Sequence, residues 1–201
     1  MGGPYGTLSD ERLMTLVVEG DERAFATLYD RHHRRLLNYF HRMLWQDREL
    51  AQDHLQDLFT KLAKRPASYD RARPFTTWLF SVANNMCKNA YRHHAVVRQA
   101  DKHLRNGTDR EEAVAGRAVD HELFRKRLQE ELDLLDPDHK ATFLMRFEEE
   151  LPVKEVAAAF GCSEGTVKSR IFYTLKKLAA RLPEFGPDAQ LHDGTPRTIR
   201  P

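Results

Sequence analysis

Cysteine is scarce in this 201-residue chain: Cys87 and Cys162 stand far apart and form no CxxC pair. Two distant thiols cannot build a disulfide framework, and they lack the ligand spacing of a structural zinc site. A reducing, cytoplasmic setting is therefore expected. Long apolar runs are missing too. No uninterrupted stretch of the roughly 18 apolar residues that a membrane span needs occurs. The amino-terminal MGGPYGTLSDERL lacks the apolar core of a signal peptide. Neither a membrane span nor a leader is expected. An excess of one charge is absent: 32 Lys and Arg face 30 Asp and Glu, a formal net charge of +2. A uniformly basic nucleic-acid coat is thereby excluded, and any charge that binds a polyanion must be local. The 10 histidines include the neighbours His32-His33 and His93-His94, which diverge on a helix, and no HExxH occurs. No metal, no cofactor and no catalytic set is expected, which disfavours a metal-dependent helical-bundle enzyme. Strand-like alternation is also lacking, so the chain reads as all-α.

What is present is helical periodicity, most informative from Leu151 to Lys177, LPVKEVAAAFGCSEGTVKSRIFYTLKK. Pro152 suits a helix start, since proline costs little there. Val153, Val156, Ala157 and Phe160 recur at helical spacing. Gly161 can adopt the left-handed conformation that stops a helix, and Ser163 can cap the next one. Val167, Ile171, Leu175 and Leu178 predict the apolar stripe of that second helix. Thr166, Lys168, Ser169, Arg170, Tyr173, Lys176 and Lys177 lie off it or at its edges. From Ser163 to Leu182 five basic residues face one acid, Glu164. This is a helix-turn-helix with a basic second helix, a form that can enter a DNA major groove and present its N-terminal half to base edges.

Upstream, residues 8–95 read as helix throughout. A first helix around Leu13, Leu16 and Val17 begins at Ser9 or Asp10 and breaks at Gly20-Asp21. The next carries Phe25, Leu28, Tyr29, His32, Leu36, Leu37, Phe40 and Leu44 near one face, with His32 read as packed or partly exposed rather than metal-bound. Asp47 can cap a third, whose stripe is Leu50, His54, Leu55, Leu58, Phe59 and Leu62; Pro66 ends it. After the loop RPASYDRARP a fourth starts near Phe75. Phe75, Trp78, Leu79, Val82, Ala83, Met86 and Ala90 form its core side. Thr77, Ser81, Asn84, Lys88, Tyr91 and Arg92 form a polar, basic and partly aromatic side suited to phosphates or unpaired bases. Residues 96–119 lose the apolar period and read as a flexible, partly helical linker. Helices resume with Leu123, Phe124, Leu128, Leu132 and Leu135, and Asp136-Pro137 starts another. Two small helical domains are thus expected, at 8–95 and 120–182, followed by a Pro- and Gly-rich tail, 183–201, read as disordered.

Three stretches in this order resemble a bacterial sigma factor of the extracytoplasmic-function (ECF) group. DHLQDLFTKL, Asp53 to Leu62, is similar to the family's DLVQEVFLRL-like segment, which docks on core RNA polymerase. The resemblance implies Asp53, Gln56 and Asp57 as the docking residues, with His54 where the family usually has an acid. FTTWLFSVANNMCKNAYR, Phe75 to Arg92, resembles FxxWLxxIAxNxxxDxxR and implies recognition and melting of the promoter −10 element. The implied contacts are Asn84, Lys88 and Arg92, with Tyr69 and Arg71 in the preceding base-capturing loop. GTVKSRIFYTLKKL resembles GTVKSRLxRARxxL and implies reading of the −35 element by Thr166, Lys168, Ser169, Arg170, Phe172 and Tyr173. Tyr173 stands where the family commonly has arginine.

The resemblance implies a non-enzymatic promoter-specificity subunit whose partners are core RNA polymerase and promoter DNA. It admits an anti-sigma protein as a further partner, with the tail as an alternative means of control. The rival reading is a stand-alone helix-turn-helix regulator that binds its operator without polymerase.

Overall fold

The computed structural model of the chain describes residues 4–101 and 119–185. Among the described residues eight α-helices run in order: α1 (Asp10–Val18), α2 (Glu22–Met43), α3 (Arg48–Lys64), α4 (Phe75–Asp101), α5 (Val119–Asp133), α6 (Pro137–Phe143), α7 (Val153–Phe160) and α8 (Glu164–Arg181). No strand occurs among the described residues. Helices α1–α4 form one bundle and α5–α8 a second. The two pack together chiefly through α4 and α7.

Local chemistry starts the helices where the sequence predicts. Ser9 accepts the Arg12 N–H at 3.2 Å, Asp21 accepts those of Arg23 and Ala24 at 2.9 and 3.0 Å, and Asp47 accepts that of Leu50 at 2.9 Å. Each satisfies backbone donors that have no partner within the helix. α4 runs on to Asp101, past the boundary expected at residue 95. Extending a formed helix costs far less than starting one, so the loss of apolar period at Val96 does not end it. The linker expectation for residues 102–118 and the tail expectation for 186–201 fall outside the described residues.

The first core is aromatic. Tyr39, Phe40, Phe75 and Phe80 are fully buried with Leu13, Leu28, Leu36 and Leu58. His32, almost fully buried, points its Nε2 at Asp10 Oδ2, 2.7 Å away, and Arg31 donates to Asp10 Oδ1 at 2.7 Å. The histidine is thus packed, one of the expected outcomes, within hydrogen-bond distance of Asp10. Burial pushes the Asp10 carboxyl up, but the hydrogen bonds from His32 and Arg31 outweigh it and hold the group below its ordinary value. A depressed carboxylate contributes stability above its unfolded pKa and loses it as pH falls through the folded one. Asp10→Asn is expected to cost about 1–3 kcal/mol at neutral pH, because it leaves a buried imidazole with a poorer partner. Urea unfolding should show that gap shrinking below about pH 4.

In the second bundle Asp136 caps α6, accepting the Asp138 N–H at 2.9 Å. α6 passes into a single π-helical turn, Leu144–Glu148, followed by Glu150 with φ 56°. That irregular turn carries Glu148 and Glu149 to the first bundle.

Candidate promoter and polymerase interfaces

The helix-turn-helix forms as the sequence dictates. Gly161 ends α7 at φ 64°, ψ 35°, and Ser163 caps α8 by accepting the Thr166 N–H at 3.1 Å. Thr166, Lys168, Ser169, Phe172 and Tyr173 are all exposed. Phe172 and Tyr173 stand out as 61% and 59% accessible aromatics in contact edge to face. Large aromatics that free on a basic helix mark a surface that awaits a partner. One element of the stripe is corrected. Leu175 is exposed, and Thr174 is buried in its place, within hydrogen-bond distance (3.1 Å) of His139 Nδ1. Leu178 is buried, and Thr174 lies closer than Leu175 to the line from Val167 to Leu178 at helical pitch.

Arg170 behaves differently from its neighbours. It is half-buried, its guanidinium meets Asp138 Oδ2 at 2.7 Å, and it lies over the Phe160 ring at 5.1 Å.

On α3 the side chains of Asp53, Gln56 and Asp57 are exposed, while Leu55, Leu58, Phe59 and Leu62 are buried. Asp57 has only a loose neighbour in Lys61, at 4.0 Å. Beside this face a groove of about 520 Å³ runs between α2 and α3, lined by Phe25, Tyr29, Leu55 and Phe59 among others. A carboxylate row beside an apolar groove suits a basic, partly apolar partner surface.

The predicted −10 residues differ in exposure. Arg71 and Arg92 are exposed. Tyr69 is buried: its ring packs edge-on against Phe75 and Trp78, and its hydroxyl donates to the Arg73 carbonyl at 2.7 Å. Asn84 is buried as well, its Oδ1 accepting from the Tyr39 hydroxyl at 3.3 Å. Both point inward here, unlike the outward placement that direct contact with DNA implies. Trp78, read as core, is half-buried in this cluster. Lys88 is half-buried, paired with Asp138 Oδ1 at 2.8 Å and set over Phe160 at 5.4 Å.

The second bundle lies against the polar side of α4. Thr77, predicted to face out, is fully buried and donates to Glu155 Oε2 at 2.7 Å. Arg35 meets Glu149 at 2.8 Å, and Arg42 meets Glu148 at 2.8 Å. Burial pushes both glutamates above their ordinary value, against the pull of the arginines. Lys140 is buried between Asp133 and the Met43 carbonyl, and desolvation holds it below the ordinary lysine value despite Asp133. Apart from Lys140–Asp133, these contacts join residues far apart in the chain and leave no local signature in the sequence.

Two family models match: sigma-70 region 2 over residues 28–97 and sigma-70 region 4 over residues 125–178. The chain therefore belongs to the sigma-70 family of RNA polymerase sigma factors. It is 32% identical to the ECF RNA polymerase sigma factor SigL of Mycobacterium tuberculosis over 163 residues, 79% of this chain and 89% of that one. Among solved structures it resembles CnrH in complex with the cytosolic domain of CnrY, with TM-score 0.66, 25% identity, and coverage of 88% and 99% of the two chains. It shares its fold with the sigma factor RpoE in complex with the anti-sigma factor NepR from Bartonella quintana, at TM-score 0.65, 19% identity, and coverage of 81% and 98%. Within the family it is an ECF factor, an alternative sigma factor that directs promoter-specific transcription. The stand-alone regulator finds no support beside a region 2 match. No described helix is long and apolar enough to cross a membrane.

Proposed function

We propose a division of labour among the residues. Asp53, Gln56 and Asp57 on α3 dock core polymerase. Arg71, Lys88 and Arg92 hold the melted −10 strand, with Tyr69 and Asn84 as positioning residues. Thr166, Lys168, Ser169, Arg170, Phe172 and Tyr173 on α8 read the −35 element. Residues 8–95 and 120–182 act as the two functional modules, with 96–119 as the link between them. The observation that carries this reading is the exposed polar and aromatic row on α8, set on a capped helix-turn-helix whose basic residues outnumber its acids locally. The phosphate contacts position the protein and the base-edge contacts specify sequence. The chain itself performs no catalysis, and it acts in the cytoplasm. An anti-sigma protein is proposed as a further partner, since RpoE, which shares the fold, is seen with one.

Run-off transcription with purified core polymerase on a promoter library, with and without this chain, tests the assignment. Transcripts that share one bipartite motif are expected. Specific DNA binding without stimulation would count against the docking assignment.

A further inference from the structure

We infer that Glu11 of α1 is a positioning residue for opening of the −10 element: its carboxylate closes the N-terminus of α4 and so holds the loop 65–74 in the form that receives an extruded base. The inference rests on the −10 role proposed for Tyr69 and Arg71, and adds a residue far from that loop in the chain.

The other helices of the first bundle supply their own caps. Ser9, Asp21 and Asp47 each stand just before the helix they cap. Pro74, just before α4, has no side-chain oxygen to offer. Its carbonyl accepts the Trp78 N–H at 3.1 Å, but the Phe75 N–H, first of the helix, has no acceptor within α4. Glu11 Oε1 accepts it at 3.1 Å, from 64 residues away in the chain. Glu11 reaches from a fixed base. Its neighbour Asp10 is tied to Arg31 and His32 of α2, and Arg31 also gathers the carbonyls of Tyr5, Gly6 and Leu8. The first turn of α1 therefore joins α2 through Asp10 and α4 through Glu11.

Phe75 is where the loop meets the core. Its ring is fully buried, edge-on to His32 and Tyr69 and stacked on Trp78. Back along the loop, Tyr69 donates its hydroxyl to the Arg73 carbonyl at 2.7 Å, and Asp70 accepts the Ala72 N–H at 3.0 Å and pairs with Arg73 at 3.2 Å. These bonds close Tyr69–Arg73 on itself and leave Arg71 exposed. They do not fix where that unit sits on α4. Within the first bundle, the bond from Phe75 to Glu11 does so, with the ring packing beside it. Extruding a base costs free energy that pocket contacts must offset. A loop already in its binding form spends none of those contacts on its own ordering. The helix dipole favours an acid in the first turn of α1, which accounts for the charge of Glu11 but not for its reach to Phe75.

The test separates reach from charge. Glu11→Gln keeps the reach and an accepting oxygen; Glu11→Asp keeps the charge but is one methylene short; Glu11→Ala keeps neither. Each full chain is assembled with core polymerase. Anisotropy measures affinity for the promoter found by run-off transcription, its −10 region already opened by mismatches. Single abasic sites are placed in turn along the nontemplate −10 strand. In wild type one abasic site is expected to cost the most and so to mark the captured base. Glu11→Asp and Glu11→Ala are expected to lose about tenfold on the intact strand and little more at that abasic site, with Glu11→Gln close to wild type. Equal losses on intact and abasic strands would overturn the inference in favour of a general weakening of the fold. Wild-type affinity in Glu11→Asp and Glu11→Ala would overturn it as well, and loss in Glu11→Gln alone would leave only a role for charge. In those cases a base marked in the wild-type scan keeps the loop's role standing. A wild-type scan in which no single base matters would remove the base-capturing role from the loop, and the inference with it.

Discussion

Asp53→Arg combined with Asp57→Arg is expected to weaken binding to core polymerase about a hundredfold or more. Both side chains are exposed on the middle turns of α3, and neither closes a buried contact. The only ion pair given up among the described residues is Asp57–Lys61, at 4.0 Å and largely solvated, a kind worth little to stability. The variant should therefore fold with unchanged circular dichroism and unchanged urea midpoint. Reversing two charges replaces attraction with repulsion across the interface, and like charges set face to face cost several kcal/mol. A pull-down titration measures the affinity directly. Transcription should fall in parallel and recover when the variant is added in excess, since reduced affinity yields to mass action. Unchanged affinity would remove this face of α3 from the interface. The groove beside it, between α2 and α3, would then be the next surface to probe.

α3 and α4 differ in how far the periodicity of a single helix foretells what is buried, and the reason is physical. The exposed acids and buried leucines of α3 follow from periodicity within one helix. So do the caps at Ser9, Asp47, Asp136 and Ser163 and the stop at Gly161: each depends on residues no more than four apart. The same pattern read on α4 predicts Thr77 and Asn84 outward, yet both are buried. Thr77 has Glu155 of α7 over it, and Asn84 turns toward Tyr39 of α2. A polar helix face looks the same in sequence whether water or another bundle covers it. Asp138 shows the same blindness. In the sequence it is an acid in the first turn of a helix, where acids are favoured by the helix dipole. Only the packing of α4 and α8 around it gives that carboxylate two cations to hold. Leu175 and Thr174 mark a finer limit: adjacent residues near the edge of a stripe exchange places when the helix rotates slightly.

Arg170→Ala is expected to lower transcription from −35-dependent promoters by roughly tenfold to a hundredfold, because one bidentate contact to a guanine discriminates by about 1–3 kcal/mol. The same side chain pairs with Asp138 of α6, a contact within the second bundle, so its removal also gives up that ion pair. At saturating core polymerase the loss at the −35 element is what transcription reads. Arg170→Lys divides the two roles. Lysine keeps a positive charge for Asp138 but lacks the planar fork that matches a guanine edge. It should retain the ion pair while relaxing selection at one −35 position. Run-off transcription on promoters randomised across the −35 element, at saturating polymerase, reads both variants. Loss of preference at a single base pair, shared by Ala and Lys, would assign Arg170 to base reading. A uniform loss across all sequences with Ala, largely recovered by Lys, would instead assign it to a phosphate. Wild-type preference and activity in both variants would exclude it from the −35 interface altogether.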